Sequence, residues 1–268
     1  MKLCITTVVD RKYQQYLPLF IYCTKKTYPD YHVKIFLIDE LSEYVKKALK
    51  LIKMDYELVS GVFEDWARPS QYSPISWRFV IPKEHFEGYH YIYITDIDMM
   101  IMPEKVPLLN FHLNEMGETG LNYSNSLRAK SHWMGRESLS GLHFCSYGWM
   151  NDVEKVMDKY RIMLKNGDVG EKREYDGHML YLMTKESGLR TPPKLPLKKR
   201  HHGIHIGTMR LYNDEASLRA RINTDMSQKW KTLRKDSVFK KILKIVSQDA
   251  NLKRYTRRLD IHCERMTG

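Results

Sequence analysis

The chain opens strand, helix, strand. The β-rich apolar run Leu3 to Val9 is followed by helical spacing from Tyr13 to Thr24, then by a second apolar run, Val33 to Ile38, that stops before Asp39. Alternation of this kind commits a chain to a mostly parallel sheet flanked by helices, with ligands at the C-terminal ends of the strands. The α/β pattern continues. Ser42 to Ile52 predicts a helix that Ser42 can cap, with Leu41, Val45, Leu49 and Ile52 on one face. Glu64 to Ser76, rich in Pro, Ser and aromatics, predicts a loop. Tyr89 to Ile94 predicts a strand, and a further apolar run, Met99 to Met102, closes at Pro103. Leu142 to Cys145 predicts a strand, Asp152 to Leu164 and Asp176 to Thr184 predict helices, and Lys194 to His202 predicts a basic loop.

A length of 268 residues suits one large catalytic domain with a tail, and 43% hydrophobic with 28% charged residues excludes a disordered or low-complexity chain. Cys4, Cys23, Cys145 and Cys263 have neither CxxC spacing nor the density of a disulfide framework, so a reducing compartment is expected. The opening MKLCITTVVD turns polar at Asp10, too soon for a secretory leader, and reads as a buried first strand. No run reaches the roughly 18 apolar residues of a membrane span. The expectation is a cytoplasmic protein, free or held at the inner face of a membrane.

Between the two apolar runs near residue 95 lies Asp96-Ile97-Asp98. Side chains alternate along extended backbone, so the two aspartates point the same way and can share one divalent cation. Mg²⁺ and Mn²⁺ take hard oxygen ligands and bridge protein carboxylates to phosphates, which suits a nucleotide diphosphate leaving group. The bland alternative is a solvated turn with two unrelated aspartates. Burial beside hydrophobic strands speaks against it, because uncompensated carboxylates are costly there.

The segments Ser76-Trp77-Arg78-Phe79-Val80-Ile81-Pro82 and Tyr91-Ile92-Tyr93-Ile94-Thr95-Asp96-Ile97-Asp98 resemble the arginine-containing helix and the "YLDxD" strand of glycosyltransferase family 8, which includes glycogenin and bacterial lipooligosaccharide galactosyltransferases. The resemblance implies a GT-A fold, a Rossmann-like mostly parallel sheet flanked by helices. It also implies a UDP-sugar donor, Mn²⁺ or Mg²⁺ on Asp96 and Asp98, and Arg78 near the donor sugar or diphosphate. His205-Ile206-Gly207-Thr208-Met209-Arg210 is similar to the family's HxxGxxK motif, with the histidine shifted by one residue, so His205 is the implied third metal ligand and His202 an alternative. Gly207 and Arg210 would meet the diphosphate; the other reading is that His201, His202 and His205 belong to a cationic loop. Thr6-Thr7-Val8-Val9-Asp10 resembles the strand end that cradles uridine, with Ile97 beside it, and Asp10 can also cap the following helix.

Two acceptor-side motifs depart from the family. Ser140-Gly141-Leu142 resembles "NSG" with Leu139 in the asparagine position, and Glu174-Tyr175-Asp176-Gly177-His178-Met179-Leu180 resembles "DQDxLN" with Gly177 for the glutamine. Retention is the course the resemblance implies, while Asp176 is open to two roles, general base of an inverting reaction or cap of its helix. The implied acceptor is a hydroxyl of a glycan or lipid-linked oligosaccharide. Trp77, Trp133, Tyr147 and Trp149 are either aromatic platforms for it or core.

Net charge is +12, and residues 229–268 hold 12 Lys plus Arg against 4 Asp plus Glu. Val238, Phe239, Ile242, Leu243, Ile245 and Val246 alternate there with Lys235, Lys240, Lys241 and Lys244, a basic amphipathic helix suited either to an anionic membrane surface or to packing on the domain. These readings divide the chain into a catalytic domain at 1–215, with a nucleotide-sugar half to 105 and an acceptor half from 106, and a basic helical extension at 216–268. Two rivals stand beside the transferase. A phosphatase of the haloacid-dehalogenase type would carry its DxD on an early strand before a Gly-rich turn, which this chain lacks. A nucleic-acid-binding module has charge in its favour but no recognised motif, and no nucleic-acid partner is expected.

Overall fold

In a computed structural model, which describes residues 1–68, 73–128, 137–167, 175–193, 203–211 and 224–265, strands and helices alternate through the first 60 residues. They are β1 (Leu3–Val9), α1 (Leu17–Thr27), β2 (His32–Leu37), α2 (Glu43–Leu49) and β3 (Glu57–Val59). A short helix α3 (Ser73–Trp77) leads to β4 (Tyr91–Ile94) and β5 (Met99–Met100). Then come α4 (Leu108–Thr119), β6 (Tyr123–Ser124), β7 (Leu127–Arg128), β8 (Ser138–Leu139), β9 (His143–Ser146), α5 (Tyr147–Asn166) and α6 (Tyr175–Glu186). Last are β10 (Ile204–His205) and three helices, α7 (Thr224–Lys235), α8 (Ser237–Val246) and α9 (Ala250–Arg265).

The main sheet runs β3-β2-β1-β4-β9-β6. Strands β3 to β1 and β4 are parallel, and β9 and β6 add an antiparallel flank. The architecture is therefore mixed α/β with a mostly parallel sheet flanked by helices, as the opening alternation predicts. Both faces are covered, so the central strands bury alternate residues into two cores. Leu3, Ile5, Val33, Ile35 and Tyr93 enter one core with α1, α2 and the C-terminal helices. Cys4, Phe36, Ile92 and Ile94 enter the other with Trp77, Trp149 and α6. After β3 the chain returns to the far side of β1, so the strand order reverses between β1 and β4, and a crevice opens at their C-terminal ends.

Local chemistry sets the element ends. Ser146 caps α5, its Oγ accepting the Trp149 N–H at 3.1 Å, and Gly167 ends that helix with φ +75°. Asp236 caps α8 by accepting the Phe239 N–H at 2.8 Å. Ser42 precedes α2 in extended conformation but makes no side-chain cap; its N–H donates instead to Gln14 Oε1 at 2.7 Å. The expected loop Glu64 to Ser76 gives way to α3 from Ser73 onward. Trp77 and Trp149 are fully buried, so they are core and not platforms, and Trp133 lies outside the described residues. All four cysteines are buried. No described helix is long and apolar enough to cross a membrane.

The amphipathic segment near 240 forms α8, and its apolar face is taken by the domain. Phe239, Ile242, Leu243 and Val246 are buried in the same core as α1 and α2, while Lys240, Lys241 and Lys244 point to solvent. Tyr22 of α1 donates its hydroxyl to Asp236 at 2.8 Å, and Lys26 pairs with the same carboxylate.

Candidate active site

Asp96 and Asp98 leave the C-terminal end of β4 at that reversal point. The turn is fixed by backbone: Thr95 N–H donates to Thr6 O of β1 at 3.0 Å, and Met99 N–H to Asp96 O at 3.3 Å. Asp98 is buried, Asp96 half-buried, and Ile97 between them turns into the core. Strand β10 pairs antiparallel with β5, placing Ile204 opposite Met100 and His205 opposite Met99, and Ile206 N–H extends the pairing to Asp98 O at 2.9 Å. A residue more than 100 positions downstream is thus brought beside the aspartates by the apolar run that follows them.

His205 Nε2 lies 2.9 Å from Asp98 Oδ1. Ligand atoms of Asp96, Asp98 and His205 all fall within 4.8 Å of one another. Gly207 presses on the same carboxylate, for a Cβ there would sit 1.6 Å from Asp98 Oδ2. Two carboxylate oxygens and an imidazole nitrogen converging on one point, with a cradle only glycine can line, fit a hard divalent cation such as Mn²⁺ or Mg²⁺. Burial opposes charge on His205, but the Asp98 charge and hydrogen bond, with Asp96 behind them, prevail and hold its pKa above the ordinary histidine value. His201 and His202 lie outside the described residues.

Arg78, buried just past α3, bridges two carboxylates. Its Nη1 lies 2.8 Å from Asp96 Oδ1, and its Nη2 is 2.8 Å from Asp176 Oδ2. Asp176 Oδ1 meanwhile accepts the Gly177 N–H at 2.7 Å, so both of its oxygens are engaged at the start of α6. Gly141 closes over the pair: a Cβ there would come 2.6 Å from Arg78 Nη2 and 3.3 Å from Asp176 Oδ2. Arg210 reaches back toward the N-terminal half, donating from Nη1 to the Tyr13 hydroxyl at 3.4 Å.

The residues of the expected uridine cradle lie in and just beyond β1. Thr6 and Thr7 are buried within β1. Asp10 caps the following turn, its Oδ1 accepting the Tyr13 N–H at 2.9 Å. Burial pushes the Asp10 carboxyl upward, the Tyr13 N–H opposes this, and the nearby Asp39 charge adds to the rise. Asp39 ends β2 as Asp10 ends β1, and it is held by the Arg11 N–H at 2.7 Å and by Arg68 Nη1 at 2.7 Å. The structure therefore gathers Asp96, Asp98, His205, Gly207, Arg78 and Asp176 at one place, with Arg210 close enough to feel the Asp98 charge.

Three participants were not singled out by sequence reasoning. Asp39 carries a usable signal, since it lies just beyond an apolar run's end, as Asp10 does, and Tyr13 opens the helical spacing that follows the first run. Asn125 carries none. It is buried beyond β6 and its Oδ1 accepts N–H groups of Ser126 at 2.6 Å and Ser140 at 2.8 Å, while Nδ2 donates to Ser140 O at 3.1 Å and lies 3.0 Å from His143 Nδ1. It thereby fixes the Ser140-Gly141 backbone that lies against Arg78.

No family model matches the sequence, and no curated protein sequence matches it. Among solved structures, the chain is similar to the apo form of the glycosyltransferase GlyE of Streptococcus pneumoniae TIGR4, with 13% identity and TM-score 0.42 over 70% of this chain. That match spans 44% of the length of the GlyE chain. It is also similar to the galactosyltransferase LgtC in complex with donor and acceptor sugar analogues, with 11% identity and TM-score 0.44 over 91% of this chain and 95% of the other. Core-mannan synthase A (CmsA/Ktr4) of Aspergillus fumigatus, in its Mn/GDP form, shows 9% identity and TM-score 0.45 over 69% of each chain.

Proposed function

We propose that this chain is a metal-dependent GT-A glycosyltransferase that moves a sugar from a nucleotide diphosphate donor, a UDP-sugar, to a hydroxyl of a glycan or lipid-linked oligosaccharide. The observation that carries the reading is the convergence of Asp96, Asp98 and His205 at the strand reversal, with Arg78 against Asp96. Two neighbouring carboxylates with a buried Asp98 would repel each other in an empty protein; here Arg78 and His205 supply the compensating charge.

Asp96, Asp98 and His205 would hold the cation, Mn²⁺ or Mg²⁺, which supplies charge neutralisation for a departing diphosphate when bound. The chain's own part is to place donor and acceptor. Asp10 would stand at the end of the crevice that takes the nucleoside, with the buried Thr6, Thr7 and Ile97 behind it, Gly207 would let backbone approach phosphate, and Arg210 would add positive charge beside it. Arg78 orients Asp96 and faces the sugar side. In the reaction a bond forms from the acceptor oxygen to the anomeric carbon while the bond from that carbon to the phosphate oxygen breaks. Since Asp176 has both oxygens engaged by Arg78 and the Gly177 N–H, retention is favoured, the acceptor proton passing to the departing diphosphate. Asp176 then acts through Arg78, as a positioning residue. The exposed Lys240, Lys241 and Lys244 support peripheral contact with an anionic membrane near a lipid-linked acceptor.

The test is hydrolysis of a panel of nucleotide-sugars with Mn²⁺, together with calorimetry of nucleoside diphosphates. One UDP-sugar should be consumed, and Asp96→Asn or Asp98→Asn should lower its turnover by about 10²-fold or more. Full activity in both variants, or no diphosphate binding in the presence of Mn²⁺, would overturn the reading.

A further inference from the structure

The segment bearing His205, Gly207 and Arg210 is held at both ends by helices from the far C-terminal part of the chain. At its entry Gly203 has φ +79°, and a Cβ there would sit 2.3 Å from Met100 O, so the backbone turns tightly against β5. The Gly203 N–H donates to Glu104 Oε1 at 3.2 Å, and that same oxygen lies 2.7 Å from Lys229 Nζ of α7. Both side chains of this ion pair are largely buried, at 12% and 14% exposure, so the pair is sheltered from the screening that makes surface pairs weak. At the exit, Arg258 Nη1 of α9 donates to Met209 O at 2.8 Å, one residue before Arg210, and Met209 is fully buried. The two helices are tied together as well: Asp260 of α9 accepts from Trp230 Nε1 at 2.9 Å and pairs with Arg234 Nε at 3.0 Å, both of α7.

We propose that Arg258 and Lys229 are positioning residues for the cation and diphosphate site, so that α7 and α9 hold His205 in register with Asp98 and present Arg210 to the crevice. The inference rests on the function proposed above. Its physical basis is that β10 has only two residues, too few to fix a loop by ladder bonds alone. Charge-assisted bonds at each end remove the freedom that a cation or phosphate would otherwise have to freeze out on binding.

The experiment uses the full chain, with Mn²⁺ alone as the probe in calorimetry and hydrogen exchange of the metal-free protein as the second readout. Arg258→Ala should weaken Mn²⁺ about tenfold, and Arg258→Lys, which keeps a donor, should recover most of that loss. Leu243→Ala, a core truncation on α8 away from the segment, should lower the melting temperature comparably yet leave Mn²⁺ affinity within about threefold. Exchange of the Ile206 amide, bonded to Asp98 O, should quicken in Arg258→Ala and not in Leu243→Ala. If Arg258→Ala fails to fold, Lys229→Met loosens the other end and should show the same pair of effects. Wild-type Mn²⁺ affinity in a folded Arg258→Ala, or equal weakening in Leu243→Ala, overturns the proposal. Should the wild type bind no Mn²⁺, the function reading fails, and exchange still decides the positioning claim: unchanged protection at 206–211 overturns it.

Discussion

A carboxylate as buried as Asp98, 6% exposed, persists only where its charge is met. His205 meets it at 2.9 Å, and Gly207 lets the backbone of the next turn close over it. Replacing Gly207 with Ala would drive a methyl into Asp98 Oδ2, so the carboxylate must swing out or the segment must lift. We expect Gly207→Ala to cost about 1–3 kcal/mol in urea unfolding and to abolish Mn²⁺ binding by calorimetry; a variant with intact binding would show that Asp98 does not need its present rotamer. The His205 shift gives a prediction of opposite character. Its folded pKa lies above its unfolded one, so in chelator-treated protein the His205–Asp98 pair stabilises fully below the unfolded pKa and that gain is lost as pH rises through the folded value. Melting temperatures of wild type and His205→Asn should therefore diverge on acidification, the wild type holding the advantage, and converge on the alkaline side. Mn²⁺ affinity should run the other way, falling as pH drops through that raised pKa, because a ligand imidazole must be neutral.

At the level of elements, the two positions that differ from the resembling motifs, Leu139 and Gly177, touch each other. Leu139 of β8 is fully buried in the second core, and a Cβ on Gly177 of α6 would sit 2.3 Å from Leu139 O. The start of α6 approaches β8 so closely that neither a longer residue at 177 nor a polar one at 139 fits. Gly177→Gln, which installs the glutamine of the resembling motif, should accordingly destabilise by about 1–3 kcal/mol in denaturant and gain no activity; a neutral effect would mean that α6 shifts freely. Much of this architecture was legible in the chain. Val45 and Leu49 bury on one face of α2, which ends at Leu49 rather than at Ile52, and Leu3 to Val9 forms a strand end to end, because period and apolarity are local properties. The aspartates at the end of β4 follow the same logic, with a motif to mark them, whereas the β10–β5 pairing that brings His205 beside them joins segments about 100 residues apart and has no local signal. What was not legible depends on contacts between segments far apart. Asn125 has no flanking signature, and Ser140 and His143 become its neighbours only once β6, β8 and β9 are folded together. Ser42 fits the cap pattern, yet its side chain makes no cap hydrogen bond to α2, and its N–H is held by Gln14, 28 residues away.

Across the whole molecule, the basic C-terminal stretch and the first sixty residues share one apolar core. Ten apolar side chains from Trp230 to Cys263 are buried, and Trp230 and Phe239 meet edge to face at 5.9 Å beneath α1 and α2. Sequence alone showed the amphipathic stripe but not which surface would cover it, since an apolar face of that width suits a lipid leaflet and a protein domain equally. Packing has a consequence that membrane insertion would not. Removing these side chains would return to water the apolar surface of α1 and α2 that they now cover. A chain ending at residue 223 would lose that cover together with the Asp236 contacts to Tyr22 and Lys26. We therefore expect the 1–223 fragment to be insoluble, or to bind a hydrophobic dye without a cooperative thermal transition, whereas the triple variant Lys240→Gln, Lys241→Gln, Lys244→Gln should fold with an unchanged melting temperature. That triple variant separates the two roles of the region. If it loses sedimentation with vesicles containing about 30% anionic lipid while keeping donor hydrolysis, the exposed face of α8 serves a surface and its buried face serves the fold. A soluble fragment with a sharp transition would instead mean that the N-terminal part carries its own stability and that the three helices are an appended unit.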